Sequence, residues 1–210
     1  MRIFGIDPGS ERTGYGCVET DGGVARLVVC GAITASPGDA FPQRLAGIHR
    51  ELVRLLNGCT PDCVAIEDLF HAVNVRSALK LGHTRGVAML AAVEAGCPVV
   101  EYTPAEIKRA VVGYGRAEKH QVQQMIKLLL GLARPPSPHD AADALAVAIC
   151  HLHSIPPVGI ATGTGTGTGS RIRDPGSESR RSDAGARIPD PGSRGQRPRT
   201  WRHYRPPTSG

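Results

Sequence analysis

Met1-Arg2-Ile3-Phe4-Gly5-Ile6-Asp7-Pro8-Gly9-Ser10 runs apolar residues straight into a carboxylate and then into a Pro-Gly turn. The pattern predicts a buried strand with Asp7 at its end. A carboxylate so placed needs a partner, because an unpaired buried charge is strongly unfavourable. A turn-forming Asp before Pro-Gly is the plainer alternative, and two later stretches decide against it.

Working outward, residues 12–20 and 24–34 form two strands around Asp21-Gly22-Gly23, a strong hairpin signal, so the first three strands make an antiparallel meander. Residues 40–57 switch to helical spacing, with Leu45, Ile48, Leu52 and Leu55 on one face and Gly58 as the expected stop. Residues 61–68 are a short apolar run of the kind found in a strand covered on both faces, and Glu67 ends it. Residues 74–96 form a long helix whose second half, from Gly86 to Val93, is apolar nearly all round. Such a helix is expected to be covered by the sheet and also by a second protomer. A fifth strand at 98–102 follows, then helices at 104–112 and 117–132, a proline-rich break at 134–138 and a last helix at 139–153. Three strands followed by alternating helices and strands specify an α/β fold, a mixed five-stranded sheet with helices on both faces.

The 210 residues, 40% of them hydrophobic, suffice for one sizeable core. No window approaches the roughly 18 consecutive apolar residues of a membrane span, and the N-terminus shows no signal-peptide pattern, so no membrane partner and a cytoplasmic location are expected. Cys17, Cys30, Cys59, Cys63, Cys97 and Cys150 are scattered among apolar residues, as suits small buried hydrophobes in a reducing compartment. Cys59-x-x-x-Cys63 with His151-x-His153 is a weak zinc signal, because Cys59 falls at a helix end and Cys63 inside a strand. The net charge of +6 is unevenly spread. Residues 155–210 hold ten arginines against Asp174, Glu178, Asp183 and Asp190, whereas residues 1–154 balance 15 basic against 15 acidic groups. DNA affinity in the core must therefore come from local patches. With a Thr-Gly run at 162–169 and little to bury, residues 155–210 are expected to be a disordered, basic, Gly/Pro/Arg-rich tail behind a folded domain at 1–154.

The last helix opens His139-Asp140-Ala141-Ala142-Asp143-Ala144-Leu145-Ala146. Asp140 and Asp143, three apart, project from one face, and the alanines let the helix lie close to a sheet. Either acid alone could be ordinary dipole stabilisation. Glu67, however, closes an apolar strand expected beside the first, near Asp7. Clustered carboxylates repel and lose hydration, and a fold retains them mainly when a cation neutralises them. Four oxygen donors without a cysteine or histidine set suit Mg²⁺ or Mn²⁺ rather than zinc. Two such ions would hold a phosphodiester between them, which is the chemistry of metal-dependent nucleic-acid hydrolysis.

Gly5-Ile6-Asp7-Pro8-Gly9-Ser10, Ala65-Ile66-Glu67, Ser77-Ala78-Leu79-Lys80-Leu81-Gly82, Val112-Gly113, Ala117-Glu118-Lys119 and Asp140 to Ala146 together resemble, in order and spacing, the RuvC family of crossover junction endodeoxyribonucleases. The resemblance covers residues 1–153 and implies a ribonuclease H-like nuclease domain at 1–154. It implies a homodimer that resolves Holliday junctions in DNA recombination and repair by two symmetric nicks, leaving 5′-phosphate and 3′-hydroxyl ends. It further implies two Mg²⁺ ions per subunit, with Mn²⁺ as an alternative, and presentation of the junction by a RuvA–RuvB branch-migration complex. Asp7, Glu67, Asp140 and Asp143 match the family's acidic metal-binding and catalytic positions. Some relatives carry His at the third of these, where this chain has Asp140 with His139 just before it as a neighbour of the metal site. Lys108 and Lys119 resemble family lysines near the scissile phosphate, and Phe70 matches a residue that stacks on a junction base. Arg76, Lys80 and Arg85 on the long helix offer phosphate contacts, or simply its solvated side. Three other functions compete. A phosphotransferase of the actin and sugar-kinase type needs a second copy of the domain, which a core ending at residue 154 does not supply. A non-catalytic junction-binding module is at odds with four acids that would repel phosphate without metal. RNA-processing nucleases of the same fold are the third alternative.

Overall fold

The computed structural model of the chain describes residues 1–21, 23–36, 38–68 and 74–155. The expected tail falls outside the described residues. Strands β1 (Arg2–Asp7), β2 (Arg12–Thr20) and β3 (Ala25–Thr34) form the antiparallel meander, and β4 (Cys63–Glu67) and β5 (Val99–Tyr102) extend it in parallel, in the order β3-β2-β1-β4-β5. Helices α1 (Phe41–Cys59) and α2 (Val75–Glu94) cover one face. Helices α3 (Pro104–Val112), α4 (Lys119–Leu129) and α5 (His139–Ser154) cover the other. This is the mixed α/β sandwich that the element order specifies, with a core on each side of the sheet. Among the described residues no helix is long and apolar enough to cross a membrane.

The two-residue period of a strand decides which side chain meets which core. Phe4, Ile6, Val64 and Ile66 pack against α1 and α2, while Ile3, Cys63 and Ala65 pack against α5 and its neighbours. β1 and β4 pair in parallel from Ile3 opposite Cys63 to Ile6 opposite Ile66. One step further along both strands brings Asp7 and Glu67 side by side on the α5 face.

Helix α5 lies unusually close to the sheet, and the sequence shows why. A Cβ at Gly5 would fall inside the carbonyl oxygen of Ala144, and one at Gly14 inside that of Asp140. One at Gly16 would stand 2.6 Å from Leu145 Cδ2. The helix answers with alanines, and every residue from Ala141 to Cys150 is buried except Asp143. Leu145 and Ile149 anchor it, each contributing about 1.5–3 kcal/mol of apolar burial. Its far end is tied by a 2.7 Å hydrogen bond between Tyr102 Oη and His151 Nδ1. Burial holds that imidazole below its ordinary pKa, which favours its neutral form.

The bounds of α1 and α4 differ from the sequence expectation. Helix α1 does not stop at Gly58: it continues through the buried Cys59 and ends at Thr60, whose φ is 45° and whose N–H reaches Leu56 O at 2.8 Å. Burial of Cys59 extends the apolar stripe of Leu52, Leu55 and Leu56 by one turn and outweighs the weak helix propensity of an exposed glycine. Helix α4 starts at Lys119 rather than 117, because Glu118 and Gln121 form a capping box. It closes before Gly131, whose φ is 61°.

The close approach of α5 generates a test. Gly5→Ala should destabilise the fold by about 1–3 kcal/mol through overpacking against the Ala144 carbonyl. Gly47→Ala, which enters open space on α1, should stabilise it by roughly 0.5–1 kcal/mol. Urea denaturation of the two variants checks both signs.

Candidate active site

Asp7 and Glu67 stand at the C-terminal ends of adjacent parallel strands, the place where open α/β sheets receive ligands. Asp143, partly buried, comes to them from the second turn of α5. Together they line a cleft of about 370 Å³ with Lys108 of α3 and Lys119 of α4, walled on its apolar side by Ile107, Val122 and Ala146. Asp140 belongs to the cleft's edge rather than its lining. Its carboxylate lies 3.7 Å from Arg12 Nη1, where β2 begins. Thr13 Oγ1 donates to Gly9 O at 2.9 Å and fixes the turn that places Arg12 there.

The electrostatics of this cleft are those of crowded acids. Burial first, then the charges of Glu67 and Asp143, a bond to Glu67 and the charge of Asp140 push the Asp7 carboxyl from 3.8 up to about 8. Glu67 is also raised, by burial and by Asp143, while the hydrogen bond from Asp7 and the charges of Lys119 and Lys108 pull the other way. Crowding and burial thus favour a proton shared by the Asp7–Glu67 pair when no cation is bound. Lys119 Nζ lies 2.7 Å from Asp143 Oδ2, and this bond raises its own pKa. Among the described residues no three Asp, Glu, His or Cys side chains form a ready-made metal cluster. The donor set nonetheless fits a hard divalent cation. It is all oxygen, three of its members line one cleft, and their mutual repulsion is what such a cation relieves.

Other residues singled out in the sequence fare differently. His139 is exposed and turned toward α4, with Gln123 Nε2 2.6 Å from its Nδ1. Arg85 is bound between carboxylates, 3.0 Å from Asp68 Oδ1 and in contact with Glu101 Oε1, so it is not a free phosphate contact. Arg76 and Lys80 are exposed on α2, and Lys80 Nζ sits 5.8 Å from the centre of the Phe41 ring. Phe70 lies outside the described residues. Sequence reasoning passed over Arg12, whose place beside Asp140 depends on the hairpin that sets Asp7 opposite Gly14. It also passed over Tyr114 and Arg116, in the turn between α3 and α4.

The comparisons with known proteins bear on the family and the fold. The family model described as crossover junction endodeoxyribonuclease RuvC matches residues 3–151. A crossover junction endodeoxyribonuclease RuvC of Koribacter versatilis is 56% identical over 156 residues, covering 73% of this chain and 93% of the relative. One of Chloroflexus aggregans is 51% identical, covering 74% and 95%. The solved structure of Thermus thermophilus RuvC in complex with Holliday junction substrate superposes with a TM-score of 0.70 at 37% identity, covering 73% of this chain and 94% of that one.

The raised Asp7 carboxyl gives a prediction about stability without metal. Its folded-state pKa near 8 lies above the unfolded value of 3.8, so its contribution is full below about pH 4 and is lost as pH rises toward 8. Asp7→Asn should therefore stabilise the chain in EDTA at pH 8, by on the order of 1 kcal/mol or about 2–4 °C in melting temperature. The gain should vanish near pH 4, and thermal melts across that range check the sign.

Proposed function

The chain belongs to the RuvC family of crossover junction endodeoxyribonucleases, and from this premise we propose that it resolves Holliday junctions with Asp7, Glu67, Asp140 and Asp143 as its metal-holding acids. The observation that carries the reading is the meeting of Asp7, Glu67 and Asp143 in one cleft with Lys108 and Lys119. The family is metal-dependent, and two Mg²⁺ ions per subunit, or Mn²⁺ in their place, supply Lewis-acid chemistry at the scissile phosphodiester when bound.

The chain's own groups do the positioning. Lys119 and Lys108 direct ammonium groups into the cleft, where point cations hold phosphate oxygens and offset charge that develops on them. Lys119 can exchange its bond to Asp143 for one to phosphate without leaving its helix turn. Arg12, at the Asp140 edge, is a third such cation. The apolar wall of Ile107, Val122 and Ala146 limits water on one side of the reacting group.

Symmetric nicking of a two-fold substrate needs two such sites in fixed relation, and α2 offers the surface for a homodimer. Val75, Leu79, Leu90 and Val93 are 77%, 59%, 51% and 65% exposed. Gly82 and Gly86, where a Cβ would meet nothing, continue the same stripe at three- and four-residue spacing. A partner helix can approach closely there. Presentation of the junction by a RuvA–RuvB complex and a place in the cytoplasm complete the proposal.

A nicking assay comparing a four-way junction, plain duplex, RNA–DNA hybrid and structured RNA in Mg²⁺ tests the function, with cleavage expected for the junction. Asp7→Asn, Glu67→Gln and Asp143→Asn should each reduce nicking by about 10³-fold while leaving junction affinity within a few-fold. Substantial Mg²⁺-dependent cleavage by Asp7→Asn would refute the assignment of the acids. For the dimer, Leu90→Asp should give folded monomers in sedimentation velocity. Met89→Asp should instead destabilise the fold, because Met89 packs against the core of the α1–α2 face.

A further inference from the structure

Among the described residues Tyr114 is the one exposed large aromatic ring, at 47%. Exposure alone marks nothing, since Leu128 on α4 is 70% exposed. Tyr114 differs in how it is held. It follows Gly113, whose φ of 93° closes α3. Its hydroxyl donates to Gln121 Oε1 at 3.0 Å, and the same oxygen accepts the N–H of Glu118 at 2.8 Å, the bond that caps α4. The ring is thus pinned at its far end to the first turn of the helix whose first residue, Lys119, lines the cleft. Only two helix positions, ~3 Å of rise, separate Lys119 from the anchoring Gln121. Arg116, in the same turn, is exposed and has no ion-pair partner among the described residues. Lys108 and Arg109 approach from the end of α3.

A rigid ring beside solvent-facing cations, next to a phosphate cleft, has the parts of a single-strand nucleic-acid platform. The ring supplies a sequence-tolerant stacking face, and the cations follow the backbone. We propose that Tyr114 stacks on an unpaired base of the strand leaving the catalytic cleft, with Arg116 on an adjoining phosphate. The proposal rests on the nuclease reading above. Pinning the ring in the free protein removes most of the ordering loss on binding.

The test uses the full-length chain and a four-way junction, with Ca²⁺ replacing Mg²⁺ for binding. Tyr114→Ala should weaken junction binding about tenfold, within the range of one base–aromatic stack. Tyr114→Phe, which keeps the ring and loses only the hydroxyl tether, should stay within about threefold. The slope of affinity against salt should not change for Tyr114→Ala, because the ring neutralises no phosphate. It should fall by about one unit for Arg116→Ala. Junctions carrying 5-iodouracil near the cut should photocross-link to Tyr114. Wild-type affinity in Tyr114→Ala, or an equal loss in Tyr114→Phe, would overturn the inference while wild-type nicking in Mg²⁺ leaves the nuclease reading intact. A wild-type chain that does not nick the junction would remove both.

Discussion

Everything at the candidate site depends on how closely α5 lies to the sheet. Asp140 and Asp143 are carried by that helix, whereas Asp7 and Glu67 are carried by strands, and the two pairs meet only because Gly5, Gly14 and Gly16 present no side chain to the helix backbone. Glycine inside a strand weakens it, since it packs nothing and gains the most conformational freedom on unfolding. Here that loss is accepted at three positions along one line of contact. The alanines of α5 are the matching half of the device, and Leu145 and Ile149 supply the apolar burial that holds the helix down. Steric absence on the sheet thus becomes carboxylate geometry at its edge.

That geometry is maintained against electrostatic opposition. Burial and three neighbouring acids drive Asp7 far above the usual carboxylate range, and Glu67 rises with it. A fold optimised for stability alone would not keep four acids there, and local violations of this kind are where function is expected to sit. The rim moderates the conflict with three cations from three different elements. Lys119 bonds Asp143, Arg12 approaches Asp140, and Lys108 faces Glu67 across the cleft. Each cation offsets acid charge in the free protein, and under the proposed function the same side chains would meet the phosphate.

The parts of this arrangement visible in the sequence are those governed by short-range periodicity. Ile3 to Asp7 and Cys63 to Glu67 declare themselves as strands, the alternation within each assigns the acids a face, and Asp140 and Asp143 share a helix side by spacing alone. The parts that stayed hidden depend on registers between distant segments. Arg12 meets Asp140 because the hairpin sets Asp7 opposite Gly14. Arg85 was expected on the solvated or phosphate-facing side of its helix, yet Asp68, just past β4, and Glu101 of β5 take it. Gly58 shows a different limit: its propensity signals a helix end, and the burial of Cys59 one residue later overrides it.

The sheet also divides its two faces by task, and β4 is where they are joined. Glu67 serves the cleft on the α5 face, and the next residue, Asp68, turns to Arg85 on α2, whose outer stripe is the proposed dimer surface. Arg85 grips Glu101 of β5 as well, so the helix is fastened to two strands at the end of the sheet where the acids gather. Its Nε is buried without a partner among the described residues, which leaves the two carboxylates as the groups that fix its position. A rotation of α2 would have to break these bonds or carry the end of β4 with it. In the proposed dimer, the spacing of the two sites would be set through covalent neighbours, Glu67 at the end of β4 and Asp68 just after it.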